Sequence, residues 1–192
     1  MKKIVKDVKF RRRHTALTDY RKRLGLVKGG IDRIVVRKSN KRIIGQIVKY
    51  SPQGDKVVVH VDSGELLKLK WQSRSNKATA YLTGLLLAKK AGAEAKNPHI
   101  LDIGIASPVS GSIPFVFAKG CIDGGMNLKA SIAIDEKTYN YSNTKYISEL
   151  KSEDSDAYKK RYSAYIKAGV DPEGLAKAFT EAKDKILNGR KE

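Results

Sequence analysis

Between Lys9 and Leu24 the chain reads K-F-R-R-R-H-T-A-L-T-D-Y-R-K-R-L, and this stretch sets the terms for everything after it. Three consecutive arginines (Arg11, Arg12, Arg13) are followed by Thr18-Asp19-Tyr20 and then by Arg21-Lys22-Arg23. No apolar period of a helix or a strand runs through it, so it has no face with which to build a core of its own. Its needs are met from outside: negative charge for the cations, and flat surfaces for Phe10 and Tyr20. A phosphate backbone with unpaired bases supplies both.

The distribution of charge along the chain points the same way. Residues 1–50 hold 17 Lys and Arg against 3 Asp and Glu, a net of +14, whereas residues 51–192 hold 22 against 17, a net of +5. Such asymmetry implies a nucleic-acid-binding arm on an ordinary globular body, since a surface charged only for solubility does not require triple arginines. The single cysteine, Cys121, leaves no disulfide framework and suits a reducing cytosol. No run approaches the ~20 apolar residues of a bilayer span. Lys2 and Lys3 are not followed by the apolar segment of a signal peptide, and residues 9–24 lack the stripe of an interfacial helix. No membrane partner is expected.

The pattern predicts a mixed α+β fold. Residues 1–30 read as an extended basic arm, with Thr18 or Asp19 capping a helical turn over Tyr20–Leu24, and Gly25, Gly29 and Gly30 closing it. Residues 33–38 and 42–50 are Val- and Ile-rich and flank Ser39-Asn40-Lys41, which predicts an antiparallel hairpin. Residues 56–61 add a third strand in meander order; strict alternation puts Val57, Val59 and Val61 on one face and Val58 and His60 on the other. A main helix follows over 76–92, capped by Asn76, with Leu82, Leu85 and Leu86 on its apolar face and Gly84 allowing close packing on the sheet. Residues 100–105 return as a short buried strand, and 114–123 as a helix. These make a body over 31–125. Residues 126–150 carry isolated apolar residues among Asn, Ser, Thr and Lys, and read as an irregular surface excursion. Residues 151–192 read as a C-terminal helical hairpin: Tyr158, Tyr162 and Tyr165 stripe its first helix to Gly169. Asp171-Pro172 opens a second helix, striped by Leu175, Phe179, Ala182 and Ile186.

Three basic clusters are candidate RNA contacts. The arm contributes Lys9, Phe10, Arg11, Arg12, Arg13, Thr18, Asp19, Tyr20, Arg21, Lys22 and Arg23; of these Thr18 and Asp19 suit a cap better than a base contact. The hairpin tip contributes Arg37, Lys38, Ser39, Asn40, Lys41 and Arg42. The third cluster is Trp71, Arg74 and Lys77, where the tryptophan fits equally a stacked base or the cap of the sheet core. The tyrosine stripe of 158–165 divides in the same way, between packing on itself and contact with RNA or protein. Catalysis has little to stand on. His14, His60 and His99 fall on separate elements, Cys121 has no His beside it, and no metal-ligand or phosphate-loop spacing occurs. Asp102, with Asp123 as a mate, is the one carboxylate in an apolar strand, and such a residue more often accepts local backbone bonds. No catalytic residue, cofactor, metal or small-molecule substrate is expected.

The arm also carries a resemblance. R-R-R-x-x-x-x-T-D-Y-R-K-R-L from Arg11, followed by R-x-V-V-R-K-S-N-K from Arg33, resembles the archaeal and eukaryotic type of large-subunit ribosomal protein eighteen. The eukaryotic counterpart of that family is large-subunit protein five. The likeness continues through Ala80-Tyr81-Leu82-Thr83-Gly84, Ile100-Leu101-Asp102-Ile103-Gly104 and the segment Tyr158 to Lys167, and Lys129–Tyr146 departs from it. The resemblance implies a structural protein of the ribosome that binds 5S ribosomal RNA in the central protuberance. It implies contact with the large-subunit rRNA and with neighbouring ribosomal proteins, a cytoplasmic location and an archaeal type of chain. Two alternatives stay open on the residues alone: a nucleic-acid-processing enzyme, which needs carboxylates clustered at strand ends, and a non-ribosomal RNA-binding assembly factor.

Overall fold

The computed structural model describes residues 11–72, 74–140 and 144–189, leaving aside the side chains of residues 12, 144 and 145. Two helices open the described chain, a single turn α1 (Arg11–His14) and α2 (Tyr20–Lys28). Asp19 starts α2: its backbone is extended and its carboxylate accepts the Lys22 N–H at 3.0 Å, which satisfies one of the orphan donors of the first turn. The helix runs through Gly25 to Gly29, so this part of the arm is a nine-residue helix rather than an extended segment with one turn. Gly25 is tolerated inside the helix, and the left-handed Gly30 (φ +63°) makes the exit.

The first three strands are β1 (Asp32–Lys38), β2 (Ile43–Lys49) and β3 (Lys56–Asp62), an antiparallel meander; β4 (His99–Asp102) pairs parallel to β1, giving the order β3-β2-β1-β4. The hairpin tip is tied by Ser39, whose hydroxyl donates to the Arg42 carbonyl and accepts from the Arg42 N–H. The register slips at Ile47/Val48, so that Val57 faces Val48 while Val59 faces Ile47. This bulge corrects the expected alternation: Val61 is buried and Val59 packs on the core, but Val57 turns to the other face and is 52% exposed.

One face of the sheet, carrying Ile34, Val36, Ile43, Ile47 and Val61, is covered by α3 (Lys77–Ala91) and α4 (Ile113–Asp123). Asn76 caps α3 by accepting from the Thr79 N–H at 2.9 Å. Gly84 does not meet the sheet as expected. It meets α4: a side chain there would collide with the Phe117 carbonyl, and one at Gly120 would collide with the Tyr81 carbonyl. The two helices therefore touch backbone to backbone, which only a missing Cβ permits.

The C-terminal part holds α5 (Thr144–Glu153), α6 (Ser155–Lys167) and α7 (Leu175–Asn188), with Asp171 accepting the Glu173 N–H at the turn into the last. Leu175, Phe179, Ala182 and Ile186 are all at most 5% exposed and belong to the main core, where the Phe179 ring meets Trp71 and Tyr81 at 5.9 Å. Burying each of the larger ones contributes about 1.5–3 kcal/mol. The segment after α4 also reaches inward. Tyr139 is buried and stacks on Tyr81 at 4.2 Å, Met126 is buried, and α5 begins within the stretch read as irregular. Burial pushes the Tyr139 hydroxyl up to about 12 and raises that of Tyr81 as well, the latter also donating to Asp123 at 2.9 Å.

Candidate nucleic-acid interface

The outer face of the sheet, opposite α3 and α4, is built on charge. Period-two alternation in β1 places Arg33, Val35 and Arg37 there, and the parallel register puts Asp102 of β4 beside Val35. Asp102 is 6% exposed. One carboxylate oxygen accepts from Arg37 Nη2 at 3.1 Å and from the Gly104 N–H at 2.8 Å; the other accepts from Arg33 Nη1 at 3.1 Å. Arg33 is 4% exposed, and its second nitrogen donates to Asp55 at 2.6 Å. Asp55, in the turn after β2, also accepts from Arg23 of α2 at 2.8 Å. The expected local backbone bond of Asp102 is present, joined by two arginines. Arg37 gives both nitrogens to groups of the body, including the Val36 and Asp102 carbonyls. Asp123 lies on the helix side of the sheet, engaged by Tyr81 and Lys119, and does not pair with Asp102.

The arm crosses this face, and the spacing of α2 divides it in two. Asp19, Lys22, Arg23 and Leu26 recur at helical intervals and line a cleft of about 640 Å³ against Val35, Arg37, Lys38 and Asp102. Lys22 donates to the Gly104 carbonyl at 3.0 Å. Tyr20, Arg21 and Lys28 are exposed, as are Arg11 and Arg13 of α1, and none of these cations has a carboxylate partner among the described residues. Lys9 and Phe10 lie outside the described residues, and Arg12 is described in backbone alone.

The hairpin tip is a second outward cluster. Lys38, Asn40 and Lys41 are exposed, and Arg42, 64% exposed in its side chain, pairs with Asp62 at 3.1 Å. Lys38 lines the same cleft as Thr18 and Lys22, so the structure brings the tip and the head of the arm helix together. The third cluster falls elsewhere and loses its aromatic. Trp71 is 1% exposed, donates through Nε1 to Thr79 at 3.0 Å and meets Phe179, so it is a core residue and no platform for a base. Arg74 stands over the Tyr165 ring at 5.9 Å, and Lys77 is exposed in the first turn of α3. The tyrosine stripe packs on itself, with Tyr158–Tyr162 at 5.3 Å and Tyr162–Tyr165 at 6.4 Å. Sequence reasoning missed Asp55 and Arg33. A charged residue in a Val-rich strand was a signal for the second; for the first there was none beyond a turn.

The sequence pattern of a family described as ribosomal large subunit proteins 60S L5 and 50S L18 matches residues 6–100, which spans the arm, the sheet through the start of β4, and α3. The large ribosomal subunit protein uL18 of Methanococcus maripaludis is 41% identical over 184 residues, covering 94% of this chain and 95% of the relative. With the likeness running past the matched pattern into the C-terminal helices, this chain belongs to the L5/L18 family of large ribosomal subunit proteins.

Proposed function

We propose that this protein is a structural, non-catalytic component of the cytoplasmic large ribosomal subunit. In this reading it binds 5S rRNA, joins it to the large-subunit rRNA and helps form the central protuberance beside neighbouring ribosomal proteins. The observation that carries the reading is the outward side of the arm: Arg11, Arg13 and Arg21 are exposed without carboxylate partners among the described residues, and Tyr20 is 44% exposed beside them. Cations already engaged by Asp55 and Asp102 are poorly available to phosphate, so the outward set defines the interface, with Lys9, Phe10 and Arg12 continuing it. Lys38, Asn40, Lys41 and Arg42 at the hairpin tip form its second edge, and Arg74 and Lys77 a separate, weaker contact. The functional division is thus an RNA-binding arm over residues 1–30 and a body that carries it.

The test is a salt series of 5S rRNA binding by the full chain and by a triple variant, Arg11→Gln, Arg13→Gln and Arg21→Gln. Loss of three phosphate contacts should lower the slope of log K against log salt by roughly 2–3. Folding should be unaffected, because none of the three side chains touches the core. An unchanged slope would remove the arm from the interface, and retention of a different RNA after high-salt sedimentation of the large subunit would remove 5S.

A further inference from the structure

The inward side of the arm helix poses a question that RNA binding alone does not answer. A carboxylate near an RNA surface opposes binding, yet Asp55 lies directly under the arm and accepts from two arginines. One of them, Arg33, is held from below, since its other nitrogen is bonded to the buried Asp102. Asp55 is therefore fixed to the body, and through Arg23 it fixes α2 near the Arg33 end of β1. Lys22, the preceding residue, reaches the Gly104 carbonyl beside Arg37, at the other end of the same strand. α2 is pinned at two points.

It needs both. Isolated helices shorter than about 12–15 residues are marginal in water, and this one has nine residues with a glycine in the middle. No residue of α2 is fully buried; Leu26 and Val27 are only half-buried, so packing alone is a weak source of its order. Its first-turn cap and the two anchors remain.

We infer that Asp55 is a positioning residue for the RNA interface: through Arg23 it holds the arm helix in place over the sheet, so that Tyr20 and Arg21 face outward before RNA arrives. Asp55 touches no RNA. It lowers the conformational entropy that binding must otherwise remove, which is how a preordered binder gains affinity. The inference rests on the RNA-binding reading above.

The sign of one substitution decides it. Asp55→Asn in the full chain keeps an oxygen where Arg23 and Arg33 both donate but removes the charge; buried Arg33 retains Asp102, whereas Arg23 is left with no carboxylate among the described residues. A bystander carboxylate, once neutralised, leaves 5S rRNA affinity equal or higher. A positioning carboxylate leaves it lower, by about tenfold, with an unchanged salt slope because the phosphate contacts are the same in number. Amides 20–28 of the free protein should also lose hydrogen-exchange protection in the variant. Arg23→Ala, which leaves Asp55 on Arg33, covers the case in which Asp55→Asn misfolds. It should weaken binding to a similar degree and add little in the Asp55→Asn background. Full additivity with a reduced slope would mean that Arg23 reaches phosphate itself, and the inference would fall. If the wild-type chain does not retain 5S rRNA, the function fails, and exchange in the free protein still decides whether Asp55 holds the arm.

Discussion

On the inner face of the sheet Ile34, Val36, Ile43, Ile47 and Val61 are at most 2% exposed and meet α3 and α4 through apolar contact. On the outer face β1 and β4 present Arg33, Val35, Arg37 and Asp102 across a cleft from a short basic helix. Both faces carry buried residues, but they are held differently. Apolar contact is graded: each lost methylene costs a similar increment, and neighbours relax toward the gap. The charged face is closed. Arg33 is buried with one positive charge, and its desolvation is offset only while Asp55 and Asp102 both accept from it. The inner face therefore stabilises by area. The outer face adds specificity of pose, and it fails sharply when one member is removed.

The sharpest way to break this contrast is at Asp102. Asp102→Ala leaves Arg33 with an unpaired buried nitrogen and takes one of the bonds of Arg37, which keeps the Val36 and Asp102 backbone carbonyls, and should cost about 3–5 kcal/mol in a denaturant titration. Asp102→Asn keeps an acceptor for the Gly104 N–H and should recover part of that loss. A cost below ~1 kcal/mol for the alanine variant would show that water reaches Arg33, and the outer face would then be an ordinary surface.

On the inner side the corresponding probe is Gly84→Ala. Its new methyl meets the Phe117 carbonyl, a backbone atom that no rotamer change can move away. α3 and α4 must separate, at about 1–3 kcal/mol. Reading the melting temperature of Gly84→Ala beside that of Gly120→Ala sharpens the point, since both glycines serve one contact and the double variant should cost less than the sum.

Much of this was legible in the sequence, for identifiable reasons. The caps at Asp19, Asn76 and Asp171 follow from side chains that bond their own backbone, a local effect that needs no tertiary knowledge. The stripe Leu175, Phe179, Ala182 and Ile186 declared a buried face through its period. What the period could not say is which partner buries it, and α7 docks on the main core rather than closing a hairpin with α6 alone. Trp71 is the same lesson at one residue: flanking cations suggested an exposed platform, while its destination was set by Thr79 and Phe179, 8 and 108 positions away. In the arm, composition identified the cations but not their two fates, because Asp55 and Gly104 are distant in sequence from Arg23 and Lys22. Tyr139 lay in a stretch without a period, and nothing local marked it as the residue that stacks on Tyr81.

The finest test of the two faces lies within one strand. By alternation Val57 and Val61 of β3 share a side; by the register slip at Ile47/Val48 they do not. Val→Thr nearly keeps shape and exchanges one methyl for a hydroxyl, so it reports whether a site can hydrate that hydroxyl. At Val61, 0% exposed among core residues, the hydroxyl has no water and should cost about 1–3 kcal/mol. At Val57, 52% exposed on the outer face, the same change should stay within about 0.5 kcal/mol. Thermal unfolding of the two variants side by side measures the difference directly. Equal costs would mean that the bulge is absent in solution and that Val57 packs inward. In that case the β2–β3 turn would shift by one residue relative to β1, and Asp55 would no longer stand between Arg23 and Arg33. This smallest of the substitutions thus checks the backbone register on which the charged face, and the pose of the arm above it, depend.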